Sequence, residues 1–521
     1  MNSKKIIYID MDNVLVDFAS GIARLSDETK QAYEGNLDDV PGIFSLMEPM
    51  PDAIESVKIL SEYFDLYILS TAPWKNTSAW SDKAAWVKRY FGEEKDGVFY
   101  KRLIITHRKD LNKGDFLIDD RTKNGAGEFG GELIRFGSER FPNWKAVMVY
   151  FKIRLLHVNC LLGGATGDAL GAPVEFMTTN EIRRLYGQEG IREYVEHRDN
   201  FGEFTDDTQM TLFTAEGLLR AYEHQLLHGV TSLPDAVYHS CQNWLTTQTN
   251  IFDVRKTIND EGWLMTQKEL FKRRAPGNTC ISALQSRKRY TVESPGNNSK
   301  GCGAIMRMAP VGLRFGPEQA FVIGCELGAL THGHPSGYLS AGFFASLISS
   351  LIISSLSEIT KPNRVKLHEA VETSISILQK YDRHEETLNI VKQAVTMAKT
   401  AECTPENIEK LGGGWTGEEA LAISLYCALS YPDDFEKAVL AAVNHGGDSD
   451  STGSITGNIM GLIAMNTIPR HWIDKLLYRD IVIQVAEDLH AQINERMTDE
   501  DYEKWRNKYP GHCKSYRKSS E

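Results

Sequence analysis

Only eight cysteines occur in 521 residues, and no two are spaced Cys-x-x-Cys, so neither a disulfide framework nor a cysteine-based zinc site is indicated. Positive charge is in deficit. Fifty-eight Lys and Arg against 70 Asp and Glu leave a net charge of −12, which argues against a protein built to bind a nucleic-acid backbone. Unbroken apolar runs are scarce. The longest, Tyr338 to Ile359, is interrupted by Ser340, Gly342, Ser346, Ser349, Ser350, Ser354 and Ser355 and has no basic flank, so it reads as a buried core helix and not as a membrane span. Met1-Asn2-Ser3-Lys4-Lys5 runs straight into a short apolar strand and not into a signal core, and the expected location is the cytoplasm. No internal repeat or low-complexity stretch stands out. With 42% hydrophobic and 25% charged residues the chain is globular, and its length asks for two or three domains.

The pattern changes near residue 150. Before it, apolar runs alternate with helical stretches: Ile6–Ile9 ends at Asp10, Leu66–Leu69 at Ser70-Thr71, Leu103–Ile105 at Thr106, Phe116–Ile118 at Asp119-Asp120, and Leu133–Phe136 makes a fifth strand. Continuous apolar strands separated by helices predict a parallel α/β sheet covered on both faces, with ligands beyond the carboxyl ends of its strands. After residue 150 helical signals dominate: Thr205–Tyr222, the Tyr338 segment, Val365–Tyr381 and Glu386–Lys399. Thr416-x-x-Glu419 reads as a capping box opening a helix through Leu429, and Phe435, Ala438, Val439 and Ala442 keep helical spacing. Phe141–Arg154 either closes the first domain with a helix or joins the two. The expected boundaries are 1–152, 153–497 and a polar tail, 498–521, which is basic and loose after Asn507.

The first chemistry sits at the strand ends. Asp10-Met11-Asp12 places two carboxylates two residues apart, so one can attack phosphorus while the other shuttles the proton. A phosphate dianion repels such a nucleophile. Asp119 and Asp120 can hold a neutralising cation, Lys109 can supply an ammonium, and Ser70 or Thr71 can donate to the phosphoryl oxygens. The bland alternative, that these are strand-end turn residues, has to explain four matched positions in order. This order resembles the haloacid dehalogenase-like phosphatases. The flanks Asp-Met-Asp-Asn-Val-Leu-Val-Asp-Phe, Ser-Thr-Ala-Pro-Trp and Leu-Ile-Asp-Asp-Arg look most like the 5′(3′)-deoxyribonucleotidase branch. The resemblance implies a Rossmann-like α/β domain with Asp10 as nucleophile and Asp12 as acid and base. Thr71 (or Ser70) and Lys109 would bind phosphate, and Mg²⁺ would be held by Asp10, the Asp12 carbonyl and one of Asp119 and Asp120. The segment that supplies the cap in this branch, between Asp12 and Ser70, looks short.

The second chemistry rests on two acidic clusters, Thr205-Asp206-Asp207-Thr208 and His445-Gly446-Gly447-Asp448-Ser449-Asp450-Ser451. Taken singly, Asp206 and Asp207 are as well explained by helix N-terminal charge. Together, Thr205, Asp206, Asp207, Asp448, Asp450 and Ser451 supply six oxygen donors, enough for one hard cation or for two sharing a carboxylate. Two glycine-rich segments fit a phosphate-bearing ligand. Gly163–Gly171 reads as a small-residue helix start ending near Glu175, although such runs more often serve close helix packing. Ser299–Arg307 offers backbone N–H groups suited to a pyrophosphate. His332 and His334 are too weak a pair to assign a metal.

The stretch from about 155 to 495 resembles the ADP-ribosylglycohydrolase family through Gly-Asp-Ala-Leu-Gly-x-x-x-Glu, Thr-Asp-Asp-Thr, Gly-Cys-Gly-Ala-Ile-Met-Arg and Gly-Gly-Asp-Ser-Asp-Ser. The resemblance implies an all-α fold and a centre of two Mg²⁺ or Mn²⁺ on Thr205, Asp206, Asp207, Asp448, Asp450 and Ser451, with Ser451 in place of the usual threonine. Glu175 falls where some members carry a catalytic or gating glutamate. Substrate phosphates are expected near Ser299, Gly301, Cys302, Gly303 and Met306. The expectation is a multidomain, bifunctional hydrolase. It would act on nucleotides and on ADP-ribosyl compounds or ADP-ribosylated protein, away from membranes and nucleic acid. In the alternatives, the second domain only binds ADP-ribose, or its acidic cluster is structural and binds Ca²⁺ or nothing.

Overall fold

The structure, a computed structural model, describes residues 4–198, 200–228, 232–252, 262–357, 361–464, 467–491 and 499–511. Its chain divides into two compact units, Met1–Lys152 and Ile153–Glu521.

The first unit is built on five parallel strands: β1 (Ile6–Ile9), β2 (Asp65–Ser70), β3 (Leu103–Ile105), β4 (Phe116–Asp119) and β5 (Glu132–Arg135), in the order β3-β2-β1-β4-β5. β1 is central, with Ile7 opposite Leu66 on one side and Phe116 on the other. Ile7, Ile9, Leu66, Ile68, Leu117 and Ile118 are fully buried, as strands covered on both faces require. Strand order reverses about β1, so Asp10, Ser70 and Asp119 converge where β1, β2 and β4 end. The segment after Asp12 folds as two short helices, Phe18–Ala23 and Asp27–Ala32, and a small antiparallel pair, Val16-Asp17 with Glu48-Pro49.

The second unit is helical; its described strands are one two-residue pair, Glu196-His197 with Asn200-Phe201. Helix Pro335–Ser357 is long and apolar enough to cross a membrane, but its most apolar stretch is 78% buried within the unit. Its small residues admit a neighbour: a methyl on Gly342 would lie 2.4 Å from Cys325 Sγ in the helix Pro317–Ala329. The expected end of this helix, Ile359, lies outside the described residues.

Three expectations are corrected. Gly163–Gly171 is not a helix start but the last turns of a 28-residue helix, Trp144–Gly171. Its glycines let it meet the helix Ser449–Ile463: a methyl on Gly167 would lie 2.0 Å from Gly453 O, and one on Gly163 2.3 Å from Gly457 O. The helix Gly417–Ser430 forms, but without the capping box, since Thr416 makes no side-chain cap. Finally, the chain just past Asn507 is not loose: it continues from the helix Asp499–Lys508, and Tyr509 is buried with its hydroxyl donating to Asp488 at 2.5 Å.

Candidate active sites

In the first unit, Asp10 ends β1 and its chain turns sharply. The N–H groups of Val14, Leu15 and Val16 all donate to Met11 O, and Asn13 takes the left-handed φ of +58° that asparagine tolerates. The Trp144 indole pins this turn by donating to Val14 O at 2.8 Å. Lys109 is buried with its Nζ 3.0 Å from Asp10 Oδ1 and 2.5 Å from Asp119 Oδ2. Asn13 Nδ2 donates to Asp120 Oδ2 at 3.2 Å. Carboxylate oxygens of Asp10, Asp119 and Asp120 lie within 4.8 Å of one another. Burial and the nearby Asp10 push Asp119 up to about 6, and burial raises Asp12 above the usual carboxylate range. Asp12 Oδ1 and Asp120 Oδ1 are buried without a hydrogen-bond donor among the described residues, and Asp10 Oδ1 faces the Lys109 ammonium. Uncompensated buried carboxylate oxygens are costly, and an all-oxygen set of this kind fits a hard divalent cation.

Sequence reasoning missed Lys83. It lies on the helix Ala79–Phe91, fully buried, and its ammonium donates to Asp12 Oδ2 at 2.8 Å and Ser70 Oγ at 2.9 Å. Ser70 is thereby turned inward, and the partly buried Thr71 is the next hydroxyl at the edge. Lys83 also stands 4.6 Å from the centre of the Phe44 ring, which pairs with Phe18 at 6.0 Å. The ammonium is therefore bordered by aromatic carbon.

In the second unit, Thr205, Asp206 and Asp207 open the helix Asp206–His228, and Asp448 caps Ser449–Ile463. Asp168, fully buried in the helix Trp144–Gly171, holds the first cluster: its carboxylate accepts from the N–H of Thr205 (2.8 Å) and from the N–H and hydroxyl of Thr208 (3.0 and 2.5 Å). It lies inside the Gly-Asp-Ala-Leu-Gly motif, a signal that was present but given no role. Gly447 brings Asp448 into place, since its φ is +154° and a methyl there would lie 2.0 Å from Gly413 O. Carboxylate oxygens of Glu175, Asp448 and Asp450 lie within 4.8 Å of one another. Burial, then the charges of Asp450, Asp448 and Asp206, push Glu175 up to about 10. Burial and Asp450 likewise hold Asp206, Asp207 and Asp448 well above the carboxylate range. Asp207 Oδ1 is buried without a partner among the described residues. Carboxylates that raise one another in this way fit a site whose charge is completed by hard cations.

Of the expected phosphate ligands, Ser299 accepts from Gly301 N–H at 3.3 Å, and Gly301 and Gly303 pack against the His332 ring. Cys302 reaches the acidic cluster instead: its thiol donates to Asp448 Oδ2 at 2.7 Å, and its N–H is taken by Trp415 O. Met306 is not brought to the turn's surface; its side chain is in the core and its N–H donates to Cys302 O at 3.2 Å.

His445 sits three residues before Asp448, fully buried, with Nε2 3.0 Å from Thr452 Oγ1. Burial lowers its pKa to about 4. Between pH 4 and 6.5 the unfolded chain therefore binds a proton that the folded chain refuses, so this histidine removes stability as pH falls through that window. His445→Gln is expected to flatten the pH dependence of the urea-unfolding free energy by about 1.4 kcal/mol per pH unit there. An unchanged slope would show that His445 is protonated in the fold.

Comparison with known proteins follows the same division. The family model described as ADP-ribosylglycohydrolase matches residues 156–499. The model described as 5′ nucleotidase, deoxy (Pyrimidine), cytosolic type C protein matches residues 27–141. A Vibrio phage KVP40 protein with the provisional name 5′(3′)-deoxyribonucleotidase is 58% identical over 147 residues, 28% of this chain and 84% of that protein. The human 5′(3′)-deoxyribonucleotidase, cytosolic type, is 26% identical over 171 residues, 27% of this chain and 78% of the human protein. The ADP-ribosylarginine hydrolase Tri1 of Serratia proteamaculans is 24% identical over 338 residues, 63% of this chain and 77% of that protein. Both units are thus of hydrolase families: the chain belongs to the ADP-ribosylglycohydrolase family and carries, ahead of that domain, a domain of the 5′(3′)-deoxyribonucleotidase family.

Proposed function

We propose that the chain is a bifunctional hydrolase in which the first unit removes phosphate from nucleoside monophosphates and the second cleaves the bond at C1″ of ADP-ribose. The observation that carries this reading is the pair of separate, buried, all-oxygen carboxylate clusters, Asp10/Asp119/Asp120 and Glu175/Asp448/Asp450.

In the first unit Asp10 attacks phosphorus and becomes an aspartyl-phosphate, while Asp12 gives its proton to the departing oxygen. Its raised pKa suits a donor, and Lys83 fixes its carboxyl. Lys109 and Thr71, with Ser70 behind, hold the phosphoryl oxygens. Asp12 then takes a proton from the water that opens the aspartyl-phosphate. Phe18, partly exposed beside the buried Phe44, offers a ring against which the base packs. Mg²⁺, held by Asp10, the Asp12 carbonyl and Asp119 or Asp120, supplies charge neutralisation at the phosphoryl group.

In the second unit Thr205, Asp206, Asp207, Asp448, Asp450 and Ser451 hold two Mg²⁺ or Mn²⁺, which supply Lewis acidity at the ribose. Glu175, whose carboxylate lies beside those of Asp448 and Asp450, delivers a proton to the leaving atom as the C1″ bond breaks. The turn at Ser299, Gly301 and Gly303 receives the diphosphate. The substrates are small, cytoplasmic nucleotides and ADP-ribosyl compounds or ADP-ribosylated protein, and the human relative's cytosolic name supports that placement.

The test is turnover with the full chain, using deoxynucleoside monophosphates and ADP-ribosylated protein in parallel. Release of inorganic phosphate and of free ADP-ribose, both stopped by a chelator, is expected. ADP-ribose binding without release would reduce the second unit to a binding module.

A further inference from the structure

Cys403 and Cys427 hold their sulfurs 3.9 Å apart, with the Cys403 thiol donating. The two come from different elements. Cys427 is fully buried in the helix Gly417–Ser430. Cys403 lies between the helix Glu385–Thr400 and the short helix Pro405–Ile408 and is partly exposed. The residue before each sulfur fixes the approach, since the Tyr426 hydroxyl donates to Glu402 O at 2.6 Å. Asn407 Nδ2 donates to the same carbonyl at 2.8 Å, and the Thr404 side chain accepts from Asn407 N–H, so the turn around Cys403 is held from both sides. A disulfide needs the sulfurs to close by a further ~2 Å, which the torsions of two short side chains supply.

The two cysteines are 24 positions apart, and the chain between them braces the second carboxylate cluster. Glu409 accepts from the Thr179 hydroxyl at 2.5 Å and from Gly446 N–H at 3.2 Å. Gly413 O accepts from Asp448 N–H at 2.8 Å, and Trp415 O accepts from Cys302 N–H at 3.1 Å. Gly417 N–H donates to Lys300 O at 2.8 Å. Asp448 and the turn from Lys300 are thus both held by backbone that lies inside the Cys403–Cys427 loop. Gly412 and Gly414 bend that backbone at φ of +107° and +80°, conformations that leave it much freedom once it opens.

We propose that Cys403 and Cys427 are a modification site for hydrogen peroxide, forming a reversible disulfide that tightens the brace on the carboxylate cluster. Burial and then the neighbouring Cys403 push the Cys427 thiol up, so the partly exposed Cys403 is the sulfur that the oxidant meets. Its sulfur attacks one peroxide oxygen, the O–O bond breaks, and water leaves with the thiol proton, giving a sulfenic acid. The Cys427 sulfur then attacks that of Cys403. The S–S bond forms, the S–O bond breaks, and the hydroxyl leaves with the Cys427 proton as a second water. Two electrons pass from the sulfurs to peroxide, and an external dithiol returns them. The new bond closes a loop and removes freedom that the segment would otherwise gain on opening.

The test treats the full chain with equimolar hydrogen peroxide, blocks the remaining thiols with iodoacetamide and maps the digest by mass spectrometry. Linked Cys403 and Cys427 peptides, separated again by dithiothreitol, are expected. Amide hydrogen exchange across residues 404–416 is expected to slow about tenfold on oxidation and to recover on reduction. Cys403→Ser, at a partly exposed position, is expected to abolish both the linkage and the slowing. Cys427→Ser is expected to leave a dimedone-reactive sulfenic acid at Cys403, with exchange unmoved by the oxidant. Oxidation of Cys403 to sulfinic acid without linkage, or linkage to another cysteine, overturns the proposal. Linkage with unchanged exchange overturns the bracing of the cluster. Neither readout depends on turnover, so the outcome is distinguishable from failure of the glycohydrolase reading.

Discussion

Asp10→Asn is expected to lower phosphate release from nucleoside monophosphates by on the order of 10⁴-fold or more, because an amide cannot form the aspartyl-phosphate and no neighbour can replace it. Asp119 is tied to Lys109 at 2.5 Å, and Asp12 to Lys83 at 2.8 Å, so both remaining carboxylates are oriented by other partners. The substitution removes one charge from a buried cluster whose oxygens repel one another, so the fold is not expected to suffer; melting with and without Mg²⁺ checks this. Phosphate release within tenfold of the unsubstituted chain would remove Asp10 from the nucleophile's role.

The second large effect belongs to Asp448→Ala combined with Asp450→Ala. These carboxylates share a site with Glu175, and Asp448 also accepts the Cys302 thiol. Their loss takes two anionic ligands from a set that needs all its oxygens to hold two cations. Metal bound per chain, measured after equilibrium dialysis against Mn²⁺, is expected to drop by two, and release of ADP-ribose by about 10³-fold or more. Undiminished metal content would mean that the cations are held elsewhere, and the assignment of Asp448 and Asp450 would fail.

How far the chain could be read without its fold depended on whether a signal was local. Four of the five strands of the first unit are runs of Ile, Leu, Phe and Tyr ending in Asp, Ser or Thr, and a parallel sheet places those ends on one edge, so the place of the first site could be read from spacing. Lys83 did not, because a lysine on the helix Ala79–Phe91 looks like any solvent-facing charge until the helix packs it against Asp12 and Ser70. Gly163, Gly167 and Gly171 suit a phosphate turn and a helix contact equally well in isolation. Their true partners, Gly457, Gly453 and Ser449, repeat the same four-residue period nearly three hundred residues later. The Thr416-x-x-Glu419 pattern matched a capping box that the fold does not form, since a cap depends on side-chain rotamers that spacing cannot specify.

The account's central claim is that one chain carries two chemically separate hydrolytic centres. It is tested most directly by assaying both activities on the same three preparations: the unsubstituted chain, Asp10→Asn, and Asp448→Ala/Asp450→Ala. The prediction is a clean cross. Asp10→Asn loses phosphate release and keeps ADP-ribose release within a few-fold of the unsubstituted chain, and the Asp448/Asp450 variant does the reverse. An Asp448/Asp450 variant that stays folded by circular dichroism yet loses both activities would contradict the claim, since the two reactions would then share residues or a coupled conformation.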